Sequence, residues 1–503
     1  MAARLLGLDV GTSVIKAVVF DLEGTELAVA SEAVEVRSPQ PGWVEQDMED
    51  VWTAAAGSIA AVLAEVDDSA EVAAVAVAGQ GDGAWMIDAD GAPVAPAPLW
   101  NDGRASGVID RWLDGDVLSG IFKRGGTVLW PGSQAALLAW FDEHDPEILE
   151  RATTVFCSKD WVRYRLTGII GTDETDGSIP FMDLAARAID DGQLELLGLA
   201  DYRELLPPVS PSHEVIGAVS AEAARVTGLR PGTPVVAGLL DVAASALGVG
   251  AVEAGQAMVI LGTTAIAAVV MDRPVFEPVD IGASACHAPP GRWLRALGTM
   301  AGTPNVDWYL EAMAGGLRAE AERTGRDVFE LLEERIASAP PGAGGVVYHP
   351  YLLGERVPFL APEARGAFFG LSMATSEADL ARAVSEGVAY AVRHCLEAIG
   401  VPVREVRLSG GGARSETWAG ILADVTGATM TVASGSQFGA LGAAMAAGVG
   451  VGLYPDFAGA VERCVREARV HEPLAERKAI YDQRYGAYVD LIEAMRPFWP
   501  RLN

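Results

Sequence analysis

Apolar runs broken by a small-residue turn open this chain, and the same pattern returns halfway along it. Residues 8–20 read LDVGTSVIKAVVF and residues 259–271 read VILGTTAIAAVVM. Aligned without gaps, Gly11-Thr12-Ser13 falls on Gly262-Thr263-Thr264, Ile15 on Ile266, and Val18-Val19 on Val269-Val270. An apolar run, a tight turn and a β-branched run predict a β-hairpin in each copy. The first copy continues through a turn at Glu23-Gly24 into a third strand over 25–36. Residues 47–63 space Met48, Trp52, Ala55, Ile59 and Val62 at the helical period with acids in the first turn, which predicts a helix. Short buried strands are expected at 72–78, at 235–239 and at 406–408, the last entering Ser409-Gly410-Gly411-Gly412 and a helix over about 415–425. A final helix over about 473–495 lines up Tyr481, Tyr485, Tyr488, Ile492 and Met495 as core packing. Strands alternate with helices in both halves, so the fold class is α/β. The repeat divides it into two domains of similar architecture, 1–247 and 248–503, facing each other across a cleft.

Composition narrows the function. The 503 residues are 50% hydrophobic and 21% charged, which excludes intrinsic disorder. Lys+Arg 37 against Asp+Glu 68 gives 37 − 68 = −31, a balance that disfavours nucleic acid and anionic membrane as partners. An anionic ligand must then be held by local geometry. Cys157, Cys286, Cys395 and Cys464 lack metal or disulfide spacing, and the six histidines lack metal spacing too. The uncharged stretch 438–455 is too rich in glycine for a spanning helix. These features predict a soluble, cytoplasmic protein.

The glycine turns supply that local geometry. Successive backbone N–H groups at a Gly-Thr-Ser tip form an anion nest without net positive charge. A duplicated pair of such tips suits a polyphosphate. The copies differ at two positions, where Asp9 meets Ile260 and Lys16 meets Ala267. A carboxylate two residues before a phosphate turn suits Mg²⁺ held through water. Ser409-Gly410-Gly411-Gly412 allows close backbone approach before a helix N-terminus, although it has neither P-loop nor GxGxxG spacing. Asp241 follows the apolar run 234–240 at a strand's C-terminal end, where an acid either caps the following helix or takes a proton from an attacking hydroxyl.

These turns, in this order, resemble the FGGY family of carbohydrate kinases, within the actin/hexokinase/Hsp70-like ATPase fold. The resemblance runs nearly the whole length, through LGLDVGTSVIKAVVFD, GQGDG, LWNDGRA, KDWVRYRLTG, TDETDGS, TPVVAGLLDVAASALGVG, LGTTA, YLLGERVPFLAPEARGAFFGLS, LSGGGARSETWAGILADVTG and ALGAAMAAG. It implies two duplicated ribonuclease H-like domains, each a mixed sheet flanked by helices. It also implies ATP with Mg²⁺, a small sugar or polyol substrate, and often a homodimer. By position it makes Asp241 the catalytic base and Asp9 the support for Mg²⁺ through water. Gly11, Thr12, Ser13, Lys16, Gly262, Thr263 and Thr264 would contact phosphates, with Gly302 and Asn305 near a second nucleotide contact. Gly410, Gly411, Gly412 and Ser415 would hold adenosine. Gln80, Gly81 and Asp82, with Trp100, Asn101 and Asp241, would bind substrate, and Trp85 or Trp100 would pack on its carbon chain.

Departures from the family pattern bear on the substrate. Xylulokinase-like members carry Gln-Met-His-Gly where this chain has Gln80-Gly81-Asp82-Gly83, and glycerol-kinase-like members carry Arg-Glu there. The loop here looks more like that of erythritol kinases and related polyol or L-sugar kinases. Gln437 stands where many members have an acid, and Glu355-Arg356 is a candidate ion pair. The expected activity is ATP-dependent phosphorylation of a terminal hydroxyl of a small polyol or ketose. A D-xylulose kinase and an actin-like ATP-binding regulator without kinase activity are the alternatives.

Overall fold

Why the predicted hairpins become the centres of two sheets is visible in a computed structural model, which describes residues 3–66, 71–279 and 281–502. Each hairpin's first strand is apolar on both faces, so it must be covered on both sides and paired along both edges. In the first sheet β1 (Ala3–Val10) pairs antiparallel with β2 (Val14–Phe20) and parallel with β5 (Glu71–Gly79). The sheet extends through β3 (Glu26–Ala33) at one edge. At the other edge stand β7 (Val215–Ala218) and β8 (Pro234–Val236). Two short strands, β4 (Glu45–Gln46) and β6 (Ala97–Pro98), pair antiparallel beside this sheet.

The second sheet repeats the plan. Its β10 (Gln256–Leu261) pairs antiparallel with β11 (Ala265–Met271) and parallel with β13 (Glu405–Ser409). From an edge strand at Ala283–Cys286 it runs in the order β12 (Trp293–Thr299), β11, β10, β13, β14 (Thr429–Ala433), β15 (Glu467–His471). The chain folds as two compact units, one of Met1–Ala254, Val270–Arg295 and Gly435–Arg466, the other of Gly255–Val269, Ala296–Ser434 and Glu467–Asn503.

Helices cover the first sheet. Helix α1 (Met48–Ala64) lays Val51, Trp52, Ala55, Ile59 and Val62 on it, and Asp47 caps it by accepting from the N–H groups of Glu49 and Asp50. Helices α2 (Ser158–Thr167) and α3 (Asp241–Gly248) follow. The glycine-rich stretch forms α4 (Phe438–Gly450), buried along Gly439–Gly448 rather than spanning a bilayer. Small residues let α4 approach its neighbours main chain to main chain. A Cβ on Gly442 would fall 1.9 Å from the Ala244 carbonyl oxygen, and one on Gly7 would fall 1.9 Å from that of Ala440. Among the described residues, no helix is long and apolar enough to cross a membrane.

Four details depart from the sequence expectation. The strand expected at 235–239 is two pieces, β8 and β9 (Leu239–Leu240), because Gly238 turns the chain at φ +95° with the Val77 carbonyl filling the place of a Cβ. The last helix begins at Lys478 after a short 3₁₀ turn, Ala475–Arg477. The third strand is shorter, Glu26–Ala33. The hairpins, lastly, differ in register: Val10↔Ile15 closes the first around residues 11–14, whereas Leu261↔Ala265 closes the second around 262–264. Asp9 therefore faces Lys16 across the ladder, while Ile260 faces Ile266 and not Ala267. Both arms are apolar, so their pattern does not reveal the one-residue slip.

Candidate active site

The first unit gathers acids at the ends of its strands. Asp9 lies near the end of β1 and is half-buried, and Asp241 is the first residue of α3. Asp241 accepts a hydrogen bond from the Val242 N–H at 2.6 Å, so it also serves the first turn of its helix. Burial and the neighbouring Asp9 charge push Asp241 up to about 7. Burial also raises Asp9, with Lys16 opposing it. A Cβ on Gly439 would sit 3.0 Å from the Asp9 carboxylate, which places the first turn of α4 beside that acid. The partial positive charges of the α3 and α4 N-termini favour anions there.

The expected substrate loop, Gln80–Asp82, continues from β5. Asp82 is 6% exposed, sits at φ +56°, and accepts from the Gln134 N–H at 3.2 Å. Burial pushes it up to about 7. A Cβ on Gly81 would meet the Leu240 Cδ1 at 2.4 Å and the Asp176 Oδ1 at 2.9 Å, so a larger residue there requires those side chains to shift. Gln80 accepts from the Thr12 hydroxyl at 2.7 Å, and that hydroxyl accepts from the Trp100 indole at 3.1 Å. Asn101 is exposed. Trp85 is fully buried in the core over β1 and α1, which removes it as a packing surface for substrate.

Beneath these loops lies a buried ion cluster that the motif KDWVRYRLTG did not reveal. The Lys159 ammonium contacts Asp160 at 2.6 Å, Asp173 at 3.0 Å and Asp176 at 3.1 Å, and Arg163 contacts Asp160 at 3.2 Å. Burial opposes the charge on Lys159, but the three carboxylates outweigh it and hold the ammonium above its ordinary range. Burial drives Asp176 well up, against the pull of Lys159. The Ser158 hydroxyl donates to the Gln80 carbonyl at 2.9 Å, and the Leu240 N–H donates to the Thr175 hydroxyl at 2.7 Å. The elements that carry the cluster thus hold the substrate loop and the approach to Asp241. Cys157, Asp160 and Asp176 lie close enough together for a metal, but Lys159 already supplies the cation.

The second unit presents turns with few charges. The Gly262 N–H donates to the Thr264 carbonyl at 3.0 Å and the Thr303 N–H to the Gly262 carbonyl at 2.7 Å. Gly302 packs on this turn, since a Cβ there would fall 2.3 Å from the Gly262 carbonyl oxygen. Among the described residues, the N–H groups of Thr12, Ser13, Thr263 and Thr264 have no intramolecular acceptor. Asn305 is buried with its amide committed, donating to the Gly302 carbonyl at 3.2 Å and accepting from the Tyr348 hydroxyl at 2.9 Å. In the triple-glycine segment, Gly410 and Gly412 have no room for a Cβ beside Leu261, and only Gly411 faces open space. Ser415 caps the helix Glu416–Thr426 by accepting from the Trp418 N–H at 3.0 Å, and it donates to Glu333. Glu355 does not pair with the Arg356 side chain. Its carboxylate accepts from the Thr299 hydroxyl and from the N–H groups of Met300 at 3.0 Å and Arg356 at 2.8 Å, fixing the end of β12.

Comparison with known proteins bears on the family and the fold. The N-terminal domain model of the FGGY family of carbohydrate kinases matches residues 4–248, and its C-terminal domain model matches 257–451. An erythritol kinase of Brucella abortus (strain 2308) is 34% identical, covering 99% of this chain and 97% of the relative. A xylulose kinase of Escherichia coli (strain K12) is also 34% identical, covering 99% of each. The crystal structure of xylulose kinase from Rhodospirillum rubrum superposes with a TM-score of 0.88 at 30% identity over 99% of both chains. That of a ligand-bound xylulose kinase from Lactobacillus acidophilus reaches 0.90 at 21% identity, a likeness of fold.

Proposed function

Because the chain belongs to the FGGY family of carbohydrate kinases, with ATP as the family's phosphoryl donor, we propose that it phosphorylates a terminal hydroxyl of a small polyol or ketose. The substrate is most like that of an erythritol kinase or a related polyol or L-sugar kinase. The observation that carries the reading is Asp241: a carboxylate raised to about 7 is poised to take a proton at neutral pH. It takes that proton from the hydroxyl that attacks the γ-phosphorus. Asp82 accepts hydrogen bonds from neighbouring substrate hydroxyls, with Trp100 and Asn101 beside it. In the first unit the free N–H groups of Thr12 and Ser13 suit phosphate oxygens, and in the second unit those of Thr263 and Thr264 do so too. Gly411 leaves room for adenosine.

Mg²⁺ fits the donors of the first unit, since Asp9 is a hard, half-buried carboxylate with Asp241 near enough for its charge to be felt. When bound through water to Asp9, the ion would neutralise charge on the phosphates. Positioning and charge neutralisation carry most of the rate in phosphoryl transfer.

The loop residues Gly81 and Asp82, which stand where xylulokinase-like members carry Met and His, favour a polyol over the D-xylulose reading. The E. coli xylulose kinase at 34% identity keeps D-xylulose as the second reading. ADP release measured over C4–C6 polyols and ketoses separates them. We expect turnover with a four-carbon polyol above that with D-xylulose, and a loss of about 10²–10⁴ in kcat for Asp241→Asn. Near-normal turnover by the variant overturns the assigned base. ATP hydrolysis indifferent to every polyol and ketose overturns the substrate class.

A further inference from the structure

Two glutamines that no charge pattern singles out close a ring between the phosphate turn and the substrate loop. The Gln46 amide donates to the Thr12 carbonyl at 2.8 Å, and the Gln80 amide donates to the Gln46 side-chain oxygen at 3.2 Å. The Thr12 hydroxyl completes the circuit by donating to the Gln80 side-chain oxygen at 2.7 Å. Gln46 is 1% exposed and Gln80 4%, so water cannot readily replace a lost partner. Each member holds both neighbours head to tail, and displacing one leaves buried polar groups unpaired.

The base of Gln46 is itself fixed. It ends β4, whose pairing with β6 sets its backbone. Asp102 accepts from the Val44 N–H at 2.7 Å and binds Arg104 twice, at 2.9 Å each. Arg104 also binds Glu45 at 2.9 Å and lies 4.0 Å over the Trp43 ring. The WNDGRA segment thus clamps 43–45 and leaves Gln46 as the reaching side chain.

We propose that Gln46 is a positioning residue that couples the phosphate turn at Gly11–Ser13 to the substrate loop at Gln80–Asp82, so that nucleotide and polyol tighten each other's binding. The inference rests on the reading of those two segments given above. A shift of Thr12 on meeting phosphate moves the main-chain oxygen that holds Gln46 and the hydroxyl that holds Gln80. The loop that carries Asp82 is then reset with it. No member of the ring titrates, so the coupling is independent of the ionisation of Asp241.

Calorimetry on the full chain tests this, using the best-turned-over polyol with and without a non-hydrolysable ATP analogue. Wild type is expected to bind the polyol about fivefold or more tightly when the analogue is present, the low end of coupling between sites. Gln46→Met removes both ring bonds and is expected to reduce that ratio below about twofold while leaving the pH profile of kcat in place. Gln46→Glu keeps the acceptor for Gln80 but sets an oxygen against the Thr12 carbonyl, and it decides the matter if the first variant does not fold. It too should lose the coupling. A wild-type ratio near one, or a variant that melts like wild type and retains the full ratio, overturns the role of Gln46. Failure of every polyol and ketose as substrate counts instead against the functional reading.

Discussion

The two hairpin turns start from nearly the same residues and hold themselves in different ways. At the first, side chains do the bonding: Thr12 meets Gln80 and Trp100, and Asp9 faces Lys16 across the ladder. At the second the bonds run through the main chain, with Gly262, Thr264 and Thr303 joined by N–H and carbonyl groups and Gly302 pressed against them. One turn is wired by side chains to the loop proposed to meet the substrate, whereas, among the described residues, the other is held by main-chain bonds alone. The repeat thus supplies two similar turns, and the side chains around them set them apart.

Making the first turn resemble the second is the severest way to break that contrast. Asp9→Ile gives it the residue found at 260, and kcat is expected to fall about 10²–10³-fold. The same change removes the negative neighbour that raises Asp241. The acid limb of the kcat/KM profile, which reports the free enzyme, should therefore move to lower pH. An unchanged limb would separate the two acids.

Asp82 gives a stability effect of opposite sign to its use. Its folded-state value of about 7 lies above the ordinary 3.8, so the folded protein binds the extra proton and stability falls as pH rises from about 4 to 7. Asn also tolerates the left-handed backbone at φ +56°. Asp82→Asn should then gain on the order of 2–4 kcal/mol at pH 8 and much less near pH 4, read from denaturant unfolding, while turnover collapses.

The second turn should answer to backbone crowding instead. Gly302→Ala places a Cβ 2.3 Å from the Gly262 carbonyl oxygen and 2.4 Å from that of Thr263. We expect a loss of about 1–3 kcal/mol and a raised KM for ATP with little change in polyol binding. Gly411→Ala is the mildest, because it meets open space. It should leave stability within about 0.5 kcal/mol, so any rise in the KM for ATP reports crowding of the nucleotide itself.

Much of this was legible along the chain. Local pattern fixes a hairpin, a helix such as Met48–Ala64 and a strand-end acid such as Asp241, because neighbours in sequence make those contacts. Gln46 and Gln80 are 34 residues apart, and Gln46 sits on a two-residue strand too short to show a period. Lys159 finds Asp173 and Asp176 only after a loop folds back, and until then it reads as an ordinary surface lysine. The register slip between the hairpins escaped for another reason: apolar arms look alike whichever way they are paired. Gly410 and Gly412 also have Leu261 beneath them, a neighbour too distant in sequence for the motif to show.

The seam where Gly442 meets Ala244 and Gly248 meets Phe438 without intervening side chains has a practical meaning. It ties the helix that begins at Asp241 to the one whose first turn stands beside Asp9, with no compressible layer to absorb an error in spacing. That stretch acts as a gauge block for the distance between two acids. Variants meant to change the substrate should leave it untouched and alter the exposed Asn101 instead.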